Sequence, residues 1–482
     1  MSQNSISIQQ NKRAITPSIK QVVEQGFCVG CGACSVKEDR VRIIETELGS
    51  YQADLTNLQA FDDKAVTPAL DQVCPFSSSR DETEIAHTLY NQVPNFDATV
   101  GHYQAVYTGF VNDDDLRSKS SSGGLVTWLL IQLMEQGKID AVVHASETDR
   151  QGELFDYRLS RTLEEVKAGA KSKYYPVTYA EVIKQVKRDK VRVAFVGVPC
   201  FVKSIRLLCE TDPDLNDVVQ YCFSLFCGHL KSKGFAEMIA WQQGVHPDNL
   251  SSIDFRVKNQ QKAHQYSVQV GYENNQKQLK YKAAAPIRSL IGQDWGLGYF
   301  KLKACDWCDD IAGETADITL GDAWLPEYHN DSGGRNILVV RHPDILTILK
   351  SGQKRNQITL NKEPVEKVYQ SQAGNYRHRH EGLDVRQRKA QSEQTWHPVK
   401  RIKAYDYEVP EIRQKIYLLR QEIAEKSHTV FAGAKEANNF NVFLFKMLPL
   451  QIKYYYLNRR LAKQTLVYGY QFLQYLIRKF QK

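Results

Sequence analysis

The fold class is decided by residues 191–209, which read VRVAFVGVPCFVKSIRLLC. Val191–Val196 is apolar apart from one arginine, and such a run predicts a short buried strand. Gly197–Cys200 then predicts a turn, and Phe201–Cys209 predicts the start of a helix. The segment therefore contributes one strand, one turn and one helix to a fold in which strands and helices alternate.

Six further segments follow the same alternation. They are predicted strands over Tyr103–Phe110, Ile139–His144, Val218–Phe226 and Ile337–Val340, and predicted helices over Leu125–Gln136 and from Gly234 onward. Strands that alternate with helices favour an α/β domain with a mainly parallel sheet. Residues 253–283 instead alternate polar with apolar side chains, which predicts an antiparallel pair.

Length and composition bound the class of protein. The chain has 482 residues, of which 42% are hydrophobic, so it is long enough for two or three packed domains. No uncharged apolar run reaches the length of roughly 18 residues that a spanning helix needs. Residues 1–20 are polar and lack the apolar core of a secretory signal, so the predicted location is cytoplasmic.

Changes in composition divide the chain into four predicted regions. Residues 21–80 carry cysteines and show little periodicity, whereas residues 100–345 hold the α/β pattern. Residues 346–439 are interpreted as a polar linker or accessory region, because 353–402 is rich in Gln, Arg and His and resembles a surface loop. Residues 440–482 form a basic tail with a helix-compatible pattern.

The tail is notable for its charge. The whole chain has a net charge of +8, and after Glu436 there is no acidic residue, although eight Lys or Arg remain. From Phe440 onward we predict helix, interrupted by Pro449. One interpretation is a helical hairpin packed on the body or on a partner, and the other is an interfacial membrane helix. The charge is weak evidence for nucleic acid, and we predict no nucleic-acid partner.

Three cysteines near the N-terminus give the strongest local signal. They occur as Cys28-Val-Gly-Cys31-Gly-Ala-Cys34, the spacing with which bacterial ferredoxins hold one face of a 4Fe–4S cluster. A fourth ligand has to come from elsewhere, and Cys74-Pro75 has the Cys-Pro form that is usual for it. A structural zinc site is the alternative, although zinc sites rarely use three cysteines at this spacing.

The other cysteines fall into two groups. Cys305-Asp-Trp-Cys308 is a C-x2-C pair that suits a metal site or a redox dithiol. Cys200 and Cys227 each follow a predicted strand, at the edge of an open α/β sheet where ligands collect. If these strands are neighbours, both thiols can join the C-x2-C pair in a four-sulfur site. Cys209 and Cys222 fall inside a predicted helix and strand, where buried packing is expected.

Three further segments are candidates for binding a nucleotide. Ser120-Ser-Ser-Gly-Gly124 precedes the apolar helix, where small residues and free amides can face a phosphate, or where they simply cap the helix. Lys171-Ser-Lys-Tyr-Tyr175 places two cations beside aromatic rings, which suits a flavin or a solvated surface. Asp322 follows a predicted strand and can bind a ribose hydroxyl or cap a tight turn.

Eight motifs occur in a fixed order along the chain. In chain order they are Cys28–Cys34 with Cys74-Pro75, Ser121–Thr127, Gly137–Val143, Lys171–Tyr174, Phe195–Cys200, Leu225–Gly228, Cys305-x2-Cys308 and Ala316–Trp324. In this order they resemble the coenzyme F-420 hydrogenase/dehydrogenase beta-subunit family. The resemblance covers residues 20–345, and it is far more specific than any one of the motifs.

This resemblance implies a fold, cofactors and ligands. The implied fold is α/β, with an N-terminal ferredoxin-like cluster segment on a mixed α/β flavin domain and a helical C-terminal extension beyond it. The implied cofactors are FAD and one or two 4Fe–4S clusters. The candidate cluster ligands are Cys28, Cys31, Cys34, Cys74, Cys200, Cys227, Cys305 and Cys308. The candidate FAD-binding residues are Ser121, Ser122, Gly123, Gly124, Lys171, Lys173, Tyr174 and Asp322.

The predicted activity is that of an iron–sulfur flavoprotein oxidoreductase. The resemblance implies a relay from ferredoxin or a reduced deazaflavin through the clusters and FAD to a small organic acceptor. A flavin suits this task because clusters move one electron and most organic reductions need two. His144, Asp322 and His229 are candidates for a general acid, with a structural polar role as the alternative for each.

Other functions stay open. The chain could be an electron-transfer subunit without a substrate site, an accessory protein of surface-polysaccharide synthesis, or a scaffold whose cysteines hold zinc. Self-association also stays open, as does a peripheral membrane contact through the basic tail.

Overall fold

The computed structural model describes residues 18–59, 66–150, 152–259, 262–274 and 276–480. Residues 1–17, on which most of the prediction about a secretory signal rests, lie outside these ranges. The described strands are β1 (Arg42–Glu45), β2 (Tyr51–Asp54), β3 (Asn95–Asp97), β4 (Gly101–Tyr103), β5 (Ala105–Val111), β6 (Ala141–Glu147), β7 (Phe155–Ser160), β8 (Val193–Gly197), β9 (Val219–Leu225), β10 (Leu250–Val257), β11 (Ser267–Glu273), β12 (Leu279–Tyr281), β13 (Ala285–Pro286), β14 (Ile318–Asp322), β15 (Asn336–Val340) and β16 (Ile358–Glu363).

The helices of the same ranges include several very short ones. They are α1 (Ile19–Glu24), α2 (Ala33–Lys37), α3 (Thr56–Gln59), α4 (Val66–Val73), α5 (Glu82–Tyr90), α6 (Asp114–Ser118), α7 (Leu125–Glu135), α8 (Leu163–Ala168), α9 (Ala180–Asp189), α10 (Pro199–Thr211), α11 (Pro213–Val218), α12 (Gly234–Gln242), α13 (Pro343–Lys354), α14 (Glu366–Arg379), α15 (Glu381–Ser392), α16 (Glu411–Glu436), α17 (Phe440–Leu457) and α18 (Leu461–Phe480). Two short 3₁₀ turns, Ile287–Ser289 and Lys303–Trp307, matter below.

An eight-stranded sheet forms the centre of the molecule, in the order β16-β5-β15-β14-β9-β8-β6-β7. The pairs β14–β9, β9–β8 and β8–β6 are parallel, and the remaining pairs are antiparallel. The predicted mixed α/β fold is confirmed, but the prediction of a mainly parallel sheet is wrong. Parallel neighbours need a crossover, which α10 provides between β8 and β9, whereas loops without an α-helix join β6 to β7 and β14 to β15.

Successive side chains of the central strands pack on opposite faces of this sheet. Val193 and Phe195 pack with α9, α10 and the cysteine-bearing N-terminal segment, whereas Ala194 and Val196 pack with α7 and α13. Both faces are therefore covered, which explains why residues 191–196 are almost continuously apolar. The N-terminal segment lies directly against one face of the sheet.

A second, smaller sheet supports the C-terminal helices. Its strands run in the order β10-β11-β12, with β13 also paired to β11, and every described pair is antiparallel. The antiparallel pairing predicted for residues 253–283 is therefore confirmed. Ile253 and Val268 of this sheet share a core with side chains of α12, α16 and α17.

Residues 353–402, interpreted above as a linker or surface loop, are folded. They contain β16 at one edge of the central sheet and the helices α14 and α15. Arg379 and Arg386 are each only 1% exposed, and Arg386 donates to the main-chain oxygens of Asp306 and His378, both at 2.8 Å. The prediction failed because polar side chains indicate solvent only when they lack partners inside the protein.

The C-terminal tail forms a helical hairpin, as one of the two interpretations predicts. Phe443 and Met447 of α17 are buried in the core that α16 also lines. Pro449 lies inside α17 without ending it. It is exposed, as is Phe445, whose carbonyl loses its helical donor to the proline, so water can hydrate that carbonyl. In the described ranges, no helix combines the length and the apolar character that crossing a bilayer requires.

Candidate functional site

Four cysteines of the N-terminal segment lie around one small cavity, namely Cys28, Cys31, Cys34 and Cys74. The first two lie in a loop, the third lies in α2, and Cys74 directly follows α4. Because α4 packs against α2, the fourth thiol joins the other three despite its distance in the sequence. The structure thus brings together the first predicted ligand set, whose role as cluster ligands stays a prediction.

Two glycines shape the loop between these cysteines. Gly30 has a φ of +66°, and a Cβ added to it would lie 2.4 Å from Cβ of Tyr51. Gly32 has a φ of +104°, and its added Cβ would lie 2.7 Å from Oγ1 of Thr178. Such left-handed angles favour glycine. Only residues without a side chain let this loop turn so tightly against β2 and the segment before α9.

Main-chain amides point at the sulfur of Cys28. The N–H groups of Gly30 and Ala53 donate to its Sγ at 3.5 and 3.4 Å. Burial, with a contribution from the neighbouring thiols, raises the pKa of Cys28 to about 12 and that of Cys74 to about 11. Four thiolates cannot share so small a space without a cationic group, and amide donors to sulfur are typical of cluster sites.

The second predicted set of cysteines also meets around one small cavity, which is lined by Cys200, Cys227, Cys305 and Cys308. Cys200 lies in the first turn of α10 after β8, and Cys227 lies just beyond β9. These two strands are parallel neighbours, so their ends lie side by side as the prediction required. The 3₁₀ turn Lys303–Trp307 brings in the C-x2-C pair. Cys209 and Cys222 are buried in the core and line neither cavity.

A buried arginine that the sequence did not indicate borders the second set. Arg379, the last residue of α14, donates to the main-chain oxygens of Cys227 and Gly228 at 3.1 and 2.7 Å. Its Nη2 lies 3.9 Å from Sγ of Cys227. On the other side, the N–H of Leu230 donates to Sγ of Cys305 at 3.2 Å. The second set therefore has both an amide donor and a guanidinium beside its sulfurs.

The two thiol cavities are neighbours. Val29 and Phe76 line both of them. Within the described ranges, no group of three or more Cys, His, Asp or Glu side chains is arranged to hold a single metal ion. The chemistry of the donors, four thiols around each cavity with amides directed at sulfur, fits a 4Fe–4S cluster, whose irons are distributed over the corners of a cube.

A third cavity, of about 300 Å³, lies next to the second thiol set. Val29, Cys227 and Leu230 line both of these cavities. The third cavity lies beyond the carboxyl ends of β8 and β9, the edge where ligands bind in open α/β sheets. Its volume is within the range of roughly 300–1,000 Å³ that is usual for small-molecule sites.

Most residues predicted to bind FAD line this cavity. Those that do are Ser121, Ser122, Gly124, Lys171, Lys173, Tyr174 and Asp322. Gly123 is not among the lining residues. A Cβ added to it would lie 2.6 Å from the main-chain oxygen of Gly109, so its lack of a side chain serves the packing of the loop on β5.

The serine–glycine loop is held by hydrogen bonds within the protein. Oγ of Ser121 accepts the N–H of Ser172 at 2.7 Å, and Ser122 donates to a main-chain oxygen beside β15 at 2.6 Å. The N–H of Leu125, the first residue of α7, donates to Oδ1 of Asn336 at 3.1 Å. The loop is therefore a preformed wall of the cavity, and one amide at the start of α7 is already engaged.

Both lysines of the predicted flavin segment already have partners. Lys171 forms an ion pair with Asp254, and Lys173 donates to three main-chain oxygens, including those of Gly169 and Ala170. Burial lowers the pKa of Lys173 to about 8. A bound phosphate would have to compete with these partners or bind beside them.

Two basic residues near the end of β10, which the sequence did not indicate, hold the serine–glycine loop. Arg256 forms an ion pair with Asp322 at 3.1 Å and donates to the main-chain oxygen of Ser121 at 2.9 Å. Lys258 donates to the main-chain oxygen of Ser122 at 2.8 Å. In the pattern Arg256-Val-Lys258 the two basic residues are two positions apart, so on a strand they lie on the same face. This pattern is the sequence feature that could have indicated them. Asp322 is thus engaged by a buried cation, which competes with the predicted contact to a ribose.

The predicted general acids differ in their hydrogen bonding. Nε2 of His144 lies 2.8 Å from Oγ of Ser160, and Asp322 is paired as described. His229 stacks on Trp295, with ring centroids 4.4 Å apart, and its buried Nε2 has no hydrogen-bond partner among the described residues. Burial, assisted by the nearby lysines, holds the pKa of His229 well below its usual value. His229 is therefore a neutral imidazole with one nitrogen available beside the cavity.

A comparison with known protein families matches most of the residues that line the second thiol cavity and the third cavity. The matching family is the coenzyme F420 hydrogenase/dehydrogenase beta subunit, which is described by two models. The model of its N-terminal part matches residues 106–184, and the model of its C-terminal part matches residues 190–366. Together the two matches span more than half of the chain. Members of this family typically bind iron–sulfur clusters and FAD, and they include subunits of F420-dependent oxidoreductases.

Individual relatives are distant. The coenzyme F420 hydrogenase subunit beta of Methanococcus voltae is 23% identical over 231 residues, 47% of this chain and 75% of that protein. The coenzyme F420-dependent sulfite reductase of Methanocaldococcus jannaschii is 22% identical over 377 residues, 73% of this chain. The match spans only 50% of that reductase.

One solved structure is also similar. A chain of the xenon-derivatised F420-reducing NiFe hydrogenase complex from Methanosarcina barkeri aligns with a TM-score of 0.46 and 16% identity. The alignment covers 64% of this chain and 99% of that one. On the two family matches, the chain belongs to the coenzyme F420 hydrogenase/dehydrogenase beta-subunit family.

Proposed function

We propose that this chain relays electrons from a one-electron donor through two 4Fe–4S clusters to FAD, and from FAD to an organic acceptor. The observation that carries the proposal is the position of Val29, which lines both thiol cavities and the third cavity. Because we propose that the third cavity binds FAD, we call it the flavin cavity. Because one residue lines all three sites, cofactors bound in them would lie near one another, which supports electron transfer. The second thiol cavity also shares Cys227 and Leu230 with the flavin cavity, and the first does not, which favours transfer from the first set through the second to FAD.

Each proposed cofactor has its own residues. The first set would hold one cluster and the second set another. When bound, the clusters would supply one-electron transfer, and FAD would convert between one-electron and two-electron steps. The residues proposed to contact FAD are those predicted from the sequence that line the cavity. Arg256 and Lys258 do not line it, and they would act by holding the serine–glycine loop in place. The four predicted regions remain proposals, with the change that residues 346–439 contribute Arg379 to the second site.

The protein's own groups give these sites their character. The amides of Gly30, Ala53 and Leu230 donate to sulfur, which stabilises added negative charge on a cluster. All the candidate ligand thiols except Cys28 and Cys200 are buried, which limits the access of water. At the flavin cavity, a Cβ on Gly228 would lie 2.5 Å from Nε1 of Trp295, so glycine here lets the indole pack against the strand end.

The available nitrogen of His229 suggests where a substrate or the flavin ring would be bound. A neutral imidazole with a free ring nitrogen can donate or accept one hydrogen bond at the cavity wall. We propose that His229 orients the bound ring or the acceptor rather than releasing a proton, because burial disfavours its charged form.

The donor is proposed from the relatives. Ferredoxin, a reduced deazaflavin or another redox protein would supply electrons, and the name "subunit beta" of the Methanococcus relative supports a protein partner. The second candidate function is an electron-transfer subunit that passes electrons to a partner's substrate site, which the name "subunit beta" of the Methanococcus relative favours. An accessory role in surface-polysaccharide synthesis stays a prediction from the sequence.

Anaerobic stopped-flow spectroscopy tests the relay. Reduced ferredoxin or a reduced viologen is mixed with the oxidised protein, and bleaching of the flavin absorbance is followed. We expect Cys308→Ser to slow the bleaching, and Cys209→Ser, which changes a core thiol outside both sets, to leave it unchanged. Equal bleaching rates in all three proteins would contradict the relay. If the flavin is reduced but no small acceptor reoxidises it, the subunit function is correct.

A further inference from the structure

The C-terminal hairpin has an apolar face that nothing in the described ranges covers. On α18, Leu466, Tyr470, Leu473 and Ile477 are exposed, Leu466 by 78% and Leu473 by 55%. Their spacing of i, i+4, i+7 and i+11 places them on one side of the helix. They form one outward stripe along α18.

The preceding helix repeats this spacing. On α17, Phe445, Pro449, Ile452 and Tyr456 occupy the same intervals and are exposed, Phe445 by 64% and Tyr456 by 68%. Single exposed apolar residues are normal on a protein surface, but four on one side of each of two consecutive helices are more than isolated exposure explains. We call these eight residues the apolar stripes.

The side of each helix opposite its stripe is anchored to the protein, and this anchoring fixes the direction in which the stripe faces. Phe443 and Met447 anchor α17 in the core. On α18, Gln471 donates to a main-chain oxygen of the 3₁₀ turn Ile287–Ser289 at 3.0 Å, and Arg478 donates to another at 2.8 Å. The stripes therefore cannot turn inward without breaking these contacts.

The charge of the hairpin has a single sign. Its exposed cations are Lys446, Lys453, Arg459, Arg460, Lys463 and Lys479. No acidic residue follows Glu436, and none of the six forms an ion pair with any residue that the structure describes. The surface thus offers apolar and aromatic side chains next to unneutralised positive charge.

We propose that this hairpin binds the surface of a bilayer rich in anionic lipids. The stripes would lie at the boundary of the acyl chains, the tyrosines at the headgroups, and the cations beside lipid phosphates. The hairpin would lie on the bilayer, since neither helix is suited to cross it. A second copy is a poor occupant because a twofold contact would set six cations against six. The proposal does not depend on the proposed redox function.

Vesicle co-sedimentation of the full-length protein tests this surface. The vesicles are phosphatidylcholine alone, or phosphatidylcholine with phosphatidylglycerol at a ratio of about two to one, which gives a strongly anionic surface. We expect binding to the anionic vesicles, weakened by high salt, and little binding to phosphatidylcholine alone. The double variant Leu466→Gln/Leu473→Gln should lower the partition coefficient by at least about tenfold, because two leucines lose their apolar burial in the lipid.

Two further variants keep the test decisive. Leu279→Gln, at a 49% exposed leucine on β12, is the matched control and should bind like the wild type. Lys446→Gln/Lys453→Gln/Lys463→Gln keeps the stripes. It should lose affinity for the anionic vesicles and bind phosphatidylcholine vesicles as the wild type does. Failure of the wild type to bind anionic vesicles would overturn the proposal, as would an equal loss in Leu279→Gln. So would a lipid-free dimer, in sedimentation velocity, that the double leucine variant dissociates, since a second copy would then cover the stripes.

Discussion

Nη2 of Arg379 lies 3.9 Å from Sγ of Cys227 and 3.1 Å from the main-chain oxygen of the same residue. All four thiols of the second set belong to the stretch 190–366 that matches the family, whereas Arg379 lies beyond it. The C-terminal region thus supplies a buried charge to a site whose thiols come from the shared domain. A residue outside the family match therefore contacts the second thiol set, which lies inside the match.

Arg379 should raise the reduction potential of one cluster. Reduction adds negative charge, which a guanidinium beside the sulfurs stabilises. We expect Arg379→Gln to lower the midpoint of one cluster signal by about 60 mV, a tenfold change in equilibrium for one electron, and to leave the other unchanged. An EPR-monitored redox titration measures both. Arg379→Lys, which keeps the charge, should recover most of the loss, and equal shifts of both signals would contradict this role.

Gly30 should be required for the first thiol set. Gly30→Ala meets Tyr51 at 2.4 Å in a left-handed conformation, so we expect loss of the iron held by that set together with a lower melting temperature. Gly137→Ala is the matched control, because its φ of +64° is similar but nothing lies within 4 Å. That control should cost only about 1 kcal/mol. Comparable iron content in the two variants would refute the packing argument.

The ion pair of Asp322 and Arg256 should stabilise the flavin cavity. Arg256 is only 4% exposed, so Asp322→Asn leaves a buried cation unpaired and should cost roughly 3–5 kcal/mol. Asp115→Asn breaks the exposed pair with Lys119 and should cost no more than about 1 kcal/mol. Urea unfolding and bound flavin are measured for both. Equal stability and full flavin content in Asp322→Asn would show that the pair is dispensable.

His144 should make stability depend on pH. Burial, assisted by the nearby Lys173, lowers its pKa to about 3, while the unfolded chain titrates near 6.5. Between these values the unfolded state binds more protons, so stability rises with pH and is lost as pH falls from about 6.5 toward 3. Relative to His144→Gln, the wild type should lose about 1.4 kcal/mol per pH unit in this window. Parallel pH profiles of the unfolding free energy would contradict the shift.

The sequence predicted what depends on local spacing or on strand ends. The triplet Cys28–Cys34 could be recognised because its three cysteines are close together in the chain. The position of Cys200 could be predicted because binding sites in open α/β sheets form at the carboxyl ends of strands. The position of Arg379 could not be predicted, because an arginine in a polar stretch is expected in solvent and only tertiary contacts bury it. The sheet was misjudged for a similar reason, since the direction of β15 depends on a connection that carries no periodic pattern.

Chemical analysis of the anaerobically purified protein tests the central claim most directly. Two 4Fe–4S clusters and one flavin require about eight iron atoms, about eight acid-labile sulfides and about one FAD per chain. Cys34→Ser and Cys308→Ser should each remove about half of the iron, whereas Cys209→Ser should remove none, because it lies in neither thiol set. Zinc in place of iron, with no labile sulfide and no flavin, would contradict the claim.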